Sequence, residues 1–174
     1  MQNYEKYTSE LLAMREIDQK MRIGHQQNKV AWDDKVDEVN TKRLKEIVSE
    51  IGWPTFSKVG ENASNGAWLL VQHADKDVEF QKFCLDLMKK VPDGDVRKRD
   101  LAFLEDRVRV NSHLPQIYGT QFYVDDNGNF GPRPIEDEEN IEKRWINDGV
   151  CSQDFPDYAT YKARMFVGFP PKKT

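Results

Sequence analysis

At 174 residues, 38% hydrophobic and 32% charged, the chain has the length and composition of one ordinary globular domain, able to bury roughly two thirds of its unfolded surface. Its formal net charge of −4 provides no global cationic field to gather nucleic acid or anionic lipid, so neither partner is expected. The longest apolar run, AWLLV at 67–71, falls far short of the ~20 residues needed to span a bilayer. MQNYEKYTSELL has no basic leader before an apolar block, so the expected address is the cytoplasm.

In chain order, Thr8 or Ser9 can cap a first helix with a stripe of Leu11, Met14, Ile17 and Met21, ending near Gly24. Arg15, Asp18 and Arg22 form a second line on it, with Asp18 and Arg22 at the i,i+4 spacing of an ion pair. A second helix is expected from about residue 33 to 51. One line on it carries Val36, Val39, Arg43, Ile47 and Glu50, and the next carries Leu44, Val48 and Ile51. GWPTF then turns the chain, because Pro54 cannot continue a helix and biases Trp53 toward an extended conformation. A third helix runs from near Glu61 to Ala74. Asp75 or Asp77 caps the fourth, where Cys84 lies in the apolar stripe as a small hydrophobe. A fifth covers about 95 to 112, with Leu101, Leu104 and Val108 on one face and Phe103 and Val110 on its neighbour.

The texture then changes. QIYGTQFYVDDNGNFGPRPI places aromatic and β-branched residues on either side of Asn127-Gly128, a strong hairpin signal. Gly131, Pro132 and Pro134 confine its second arm to an edge. Read as a strand, the segment would turn Tyr118, Thr120 and Phe122 to one side and Ile117, Gly119 and Gln121 to the other. Two short helices, about 137–148 and 156–166, close the chain. The expected architecture is mainly α: a single-domain helical bundle or array over 1–174, with a core of about 8–168, a small β-hairpin near 117–134 and a polar tail at 169–174.

Several chemistries fail on inventory. There is no GxxxxGK(S/T), no GxGxxG after a strand, no HExxH and no GxSxG. Three histidines are too few for a histidine-rich di-iron centre, and the two cysteines lack metal-knuckle or redox spacing. His73, Asp75 and Asp77 offer metal-ligand atom types, but both aspartates have a simpler use as helix caps, so no metal and no cofactor are expected. His73 follows Leu69 by four residues and Leu70 by three, which turns it to the rim of an apolar face. There it is either a satisfied buried imidazole or an acid–base group. Asp106 and Arg107 fall between two apolar lines, so at least one faces protein. An inward arginine requires a carboxylate, for which Asp18 is one choice, or an anionic ligand. Gln116, Tyr118, Thr120 and Gln121 crowd donors and acceptors round Gly119, a pattern shared by a site lip and by a strand joining a helical body.

GWPTFSKVGENASNGAWLLVQHAD, LAFLEDRVRVNSHLPQIYGTQF and PRPIEDEENIEKRW together resemble a widespread bacterial family of unknown function. Its members share GWPT, W-L-x-x-Q-H-A-D, L-x-D-R, Q-x-Y-G-T-Q and P-I-E-D motifs, matched here over about 10–148. The resemblance implies a helical fold and no stated activity. It marks Gln72, His73, Asp75, Asp106, Arg107, Gln116, Tyr118, Thr120, Gln121, Asp137 and Arg144 as the matching polar positions, with Trp53, Pro54, Gly60 and Trp68 as structural ones. Many relatives have a second histidine directly after H-A-D. Here that position is Lys76, so a metal centre dependent on that imidazole is in doubt.

So many polar groups of fixed identity are expected to share a polar inter-helix pocket, because burying them unpaired would cost several kcal/mol. In that reading Arg107, aided by Arg133, binds an anionic small molecule. Gln72, Asp75, Gln116, Tyr118, Thr120 and Gln121 line the site, and His73, oriented by Asp75 or Asp106, performs metal-independent hydrolysis or transfer. The alternative is a non-catalytic interaction module, of immunity or adaptor type, whose acidic 136–142 run meets a basic protein partner.

Overall fold

The computed structural model describes residues 4–168, and the expected polar tail at 169–174 lies outside them. The chain forms two compact units, Met1–Val96 and Arg97–Thr174. The mainly helical class read from the sequence is borne out: among the described residues there are eight α-helices and one two-stranded antiparallel sheet. No described helix is long and apolar enough to cross a membrane.

The first unit holds α1 (Glu5–Gln26), α2 (Asp34–Ile51), α3 (Phe56–Val59), α4 (Glu61–Gln72) and α5 (Val78–Lys89). Asp33 caps α2 by accepting from the Lys35 amide, and Asp77 caps α5 by accepting from Phe80. The aspartate preceding each helix therefore serves its exposed first-turn amides. The one-turn helix α3 follows the GWPT turn, which buries Trp53. α4 packs against α1, α2, α3 and α5 and is the centre of this unit. Its Gly66 makes that possible, because a Cβ there would sit 3.2 Å from the Leu11 carbonyl oxygen of α1.

The buried line of α1 differs from the expected one. Leu11, Met14, Asp18 and Met21 face inward, while Ile17 is 56% exposed. Spacings of three, four and three keep pace with 3.6 residues per turn. The all-apolar choice of Ile17 drifts off that face. On α2 the buried line is Asn40, Leu44, Ile47, Val48 and Ile51, and Val39 is exposed. Two polar residues, Asp18 and Asn40, thus occupy core positions.

The second unit contains α6 (Lys98–Asn111), β1 (Phe122–Val124), β2 (Phe130–Pro132), a 3-10 turn (Glu138–Asn140), α7 (Ile141–Asn147) and α8 (Tyr158–Gly168). Ala102, Ile141, Trp145, Val150, Tyr158 and Tyr161 form its core, with Phe103, Tyr118 and Phe122 packed against them. The hairpin pairs Phe122 with Pro132, Tyr123 with Gly131 and Val124 with Phe130. Asp125 closes its turn by accepting from the Asn127 and Asn129 amides. The hairpin is therefore where the Asn-Gly signal put it, but its paired part is short. Residues 117–121 are not a strand, so the expected two-sided alternation of Tyr118, Thr120 and Phe122 does not arise. Gly119, at φ +71°, breaks the pleat, and a Cβ there would lie 2.6 Å from the Tyr158 ring.

Candidate functional site

The polar residues marked by the sequence fall into one cluster in each unit. In the first unit His73 ends α4, its amide bonded to the Leu69 and Leu70 carbonyls. That position holds the imidazole at the rim, as its spacing from Leu69 and Leu70 suggested. Its Nδ1 lies 2.8 Å from Oδ1 of Asp18, whose side chain is completely buried, while the His73 side chain keeps 18% exposure. The orienting carboxylate of His73 is thus Asp18. Arg22 donates from Nε to the same Asp18 oxygen at 3.0 Å and from a terminal nitrogen to Asp37. Gln19 donates to the second Asp18 oxygen at 2.8 Å. Burial raises the Asp18 pKa, but hydrogen bonds from His73 and Gln19 and the nearby positive charge outweigh it, leaving the carboxyl below its ordinary value. Asp18 is therefore an acceptor at neutral pH, and Nδ1–H is the donor. The other ring nitrogen, Nε2, makes no hydrogen bond among the described residues.

Around this pair, Arg22 stacks over Trp32 with its guanidinium carbon 4.8 Å from the ring centroid, and His25 meets the same ring edge-on. One ligand atom each from Asp18, Asp37 and His73 lies within 4.8 Å of the others. The turn after His73 is fixed separately. The buried Gln81 of α5 donates to the Val71 and Gln72 carbonyls and to the Asp75 carboxylate, at 3.0, 3.4 and 3.3 Å. Gln72 is buried and Asp75 exposed. Lys76, in the position after H-A-D, pairs with Glu38 at 3.1 Å.

In the second unit Asp106 organises the YGTQ segment. It is fully buried, and its Oδ1 accepts from the Ile117 and Tyr118 amides at 2.7 and 3.0 Å. Its Oδ2 accepts from the Thr120 amide and hydroxyl, both at 2.9 Å. Burial pushes the Asp106 carboxyl up, and the bonds from Tyr118, Thr120 and Ile117 pull against it. Gln116 bridges the segment's end, its Oε1 accepting from the Gln121 amide and its Nε2 donating to the Gln121 and Arg133 carbonyls. Three further carbonyls of the segment are met by side chains that motif reading alone did not connect to this loop. Arg144 donates to Ile117 O, Trp145 to Tyr118 O and Tyr161 to Thr120 O, at 3.1, 2.8 and 2.9 Å. Arg144 also pairs with Asp137. An irregular buried segment has no ladder to satisfy its backbone, and here side chains do that work.

Arg107 donates to Gln121 Oε1 at 2.9 Å, and Gln121 Nε2 donates to the Thr120 hydroxyl. The Tyr118 hydroxyl donates to Asp148 at 2.9 Å. Burial, then that carboxylate, pushes the Tyr118 phenol up and keeps it neutral. Arg133 lies over Tyr123, 4.9 Å from the ring centroid. The structure thus brings Asp106, Arg107, Gln116, Tyr118, Thr120 and Gln121 together in one unit, and His73, Gln72 and Asp75 in the other.

The residues that sequence reasoning passed over are Asp18 as partner of His73, Arg22 and Asp37 beside it, and Gln81. Each carried a signal. Asp18 and Gln81 stand at positions whose helical neighbours are apolar, where a polar residue implies a buried partner.

A protein-family model described as a family of unknown function (DUF6624) matches residues 5–159, so the chain belongs to that family. No curated protein and no solved structure matches it.

Proposed function

We propose, for this member of a family that carries no assigned activity, that the protein is a hydrolase or group-transfer enzyme for small polar molecules, with His73 as its proton-transfer group. One observation supports this reading above the others: a buried, ionised Asp18 fixes the imidazole through Nδ1 and leaves Nε2, at a partly exposed rim, without a partner among the described residues. A structural histidine is economical when both nitrogens are satisfied, and here one is not. With its tautomer set by the carboxylate, Nε2 is the base. It would take a proton from the attacking water or hydroxyl and return it to the leaving group. The guanidinium of Arg22, which meets the imidazole at the shared Asp18 oxygen, is the cation nearest this chemistry and supports an anionic group on the substrate.

The test incubates the protein with a cell metabolite extract and follows depletion by untargeted mass spectrometry, alongside His73→Gln and Asp18→Asn. A metabolite consumed by the wild type, spared by His73→Gln and consumed slowly by Asp18→Asn supports the reading. Equal depletion by wild type and His73→Gln, or none by either, ends it.

A second reading, a non-catalytic interaction module, draws on the other unit. There Asp106, Gln116 and Thr120 serve the loop's own backbone, and Glu136, Asp137, Glu138 and Glu139 present an exposed acidic face. In that case His73→Gln leaves the affinity for a basic protein partner at its wild-type value.

A further inference from the structure

Helix α2 carries a buried polar group that no other described residue satisfies. Asn40 is 6% exposed, and its Nδ2 has no hydrogen-bond partner among the described residues. A stranded buried amide is expensive and calls for an occupant. Its place in the fold says where. Tyr7 with Glu50, Glu10 with Arg43 and Arg22 with Asp37 tie α1 to α2 in antiparallel register, which sets Asn40 at the level of Asp18. On a helix, side chains lean back over the preceding turn, and one turn before Asn40 stands Asp37. Helix geometry therefore sets the unsatisfied amide on the Asp37 side of α2, at the level of Asp18 but without a hydrogen bond to either carboxylate.

We propose that Asp18, Asp37 and Asn40 form a binding site for a hard divalent cation such as Mg²⁺ or Mn²⁺, with Arg22 as the positive charge that holds the site in the ion's absence. Two carboxylates and an amide carbonyl are the donors such ions prefer. The candidate ligand atoms of Asp18, Asp37 and His73 lie within 4.8 Å of one another, the span of groups gathered round one ion with metal–oxygen bonds of about 2.1–2.4 Å. Rotation of the Asn40 amide, whose two ends are sterically alike, presents Oδ1 where Nδ2 now stands. The Arg22 guanidinium bridges both carboxylates, the place a cation would take, and on displacement keeps its stack on Trp32. His73 keeps Nδ1–H on Asp18 and stands beside the ion without ligating it. The inference departs from the metal-free chemistry expected from the sequence. It deepens the His73 reading and rests on it only for the use made of the ion, which would offer its open positions to water and to an anionic substrate oxygen.

The experiment titrates the full chain with Mn²⁺, read by electron paramagnetic resonance and calorimetry. The expected result is one saturable Mn²⁺ per chain with a dissociation constant below about 1 mM, the weak end of protein sites for such ions. Asp37→Asn and Asn40→Leu should each weaken it about tenfold or more. Arg22→Gln should tighten it, because the competing cation is gone; a bridge with only a structural role would show no such gain. His73→Gln should keep binding within about threefold of wild type. Absence of saturable binding in both wild type and Arg22→Gln, or binding unchanged in Asp37→Asn, overturns the proposal. Circular dichroism of each variant separates lost binding from lost fold. Mn²⁺ binding without His73-dependent turnover would leave the cation site standing and end the acid–base reading, and the opposite pattern would do the reverse.

Discussion

Replacing Asp106 by Asn tests whether this carboxylate is scaffold or chemistry. The substitution changes almost no volume, so its cost is polar alone. Asp106 receives two backbone amides on Oδ1 and the Thr120 amide and hydroxyl on Oδ2. An asparagine keeps one acceptor oxygen, and its NH₂ then faces the Thr120 amide. The hydroxyl can turn to accept, but the amide cannot. One buried stranded donor costs about 1–3 kcal/mol, and weaker neutral bonds to Ile117 and Tyr118 add to it. Burial, which holds the carboxyl above its ordinary value, works the other way, because the variant no longer buries a charge. The balance is a loss of about 2–3 kcal/mol for Asp106→Asn and more than about 4 for Asp106→Ala, which strands three amides. Urea denaturation measures the loss. Hydrogen exchange at the amides of Ile117, Tyr118 and Thr120 localises it, with protection falling there first. A variant within about 0.5 kcal/mol of wild type, the range of an inert surface change, would refute the scaffold argument.

Other outcomes follow from single contacts. Gly119→Ala combines a left-handed φ with a Cβ 2.6 Å from the Tyr158 ring, and should lower stability by about 2 kcal/mol or more in thermal melts. Trp145→Phe keeps most of the ring but strands the Tyr118 carbonyl, at a cost of about 1–3 kcal/mol by urea titration. The Asp18 carboxyl is held below its unfolded value, so its stabilisation is present above about pH 4 and lost as pH falls through the lower folded value. Asp18→Asn should therefore be less stable than wild type at pH 6, and the gap should narrow toward pH 2. A gap that widened on acidification would contradict the depressed carboxyl.

The helices were legible because their signals are local. Asp33 and Asp77 stand where caps belong, and the apolar spacing of α2 and α5 repeats over whole turns. The stripe of α1 was misread at one residue for an instructive reason. Ile17 and Asp18 are adjacent, apolarity favoured Ile17, and geometry put Asp18 inside. A carboxylate can occupy that place because His73, Gln19 and Arg22 complete its hydrogen bonds, and two of those three come from other turns or another helix. The partner of His73 was thus hidden by distance in sequence: fifty-five positions separate the two residues. The YGTQ segment was found but read as a strand, because aromatic and β-branched residues suit strands and nothing local announces that its backbone bonds go to side chains. Only Gly119 hinted at the irregular path.

The number of polar residues in the motifs quoted from the sequence suggested a single pocket, on the ground that a core has no use for them. The second unit supplies a use. A loop of five residues buried beside aromatic rings must satisfy its amides and carbonyls without a strand neighbour, and Asp106, Gln116, Arg144, Trp145 and Tyr161 do so one bond at a time. Such a loop constrains identity as strongly as catalysis would, since each donor has one acceptor that fits. Fixed polarity is therefore weak evidence of a site wherever every polar atom is matched inside the fold. It becomes strong evidence where the matching stops short. Among the described residues of the first unit, the Nε2 of His73 has no hydrogen bond while its Nδ1 meets a carboxylate that has three donors, and the buried amide nitrogen of Asn40 on α2 is also without a partner. Mutagenesis that tests the proposed acid–base reading therefore begins at His73 and Asp18, whereas Asp106 and Gln116 hold the backbone of the YGTQ loop and report on stability.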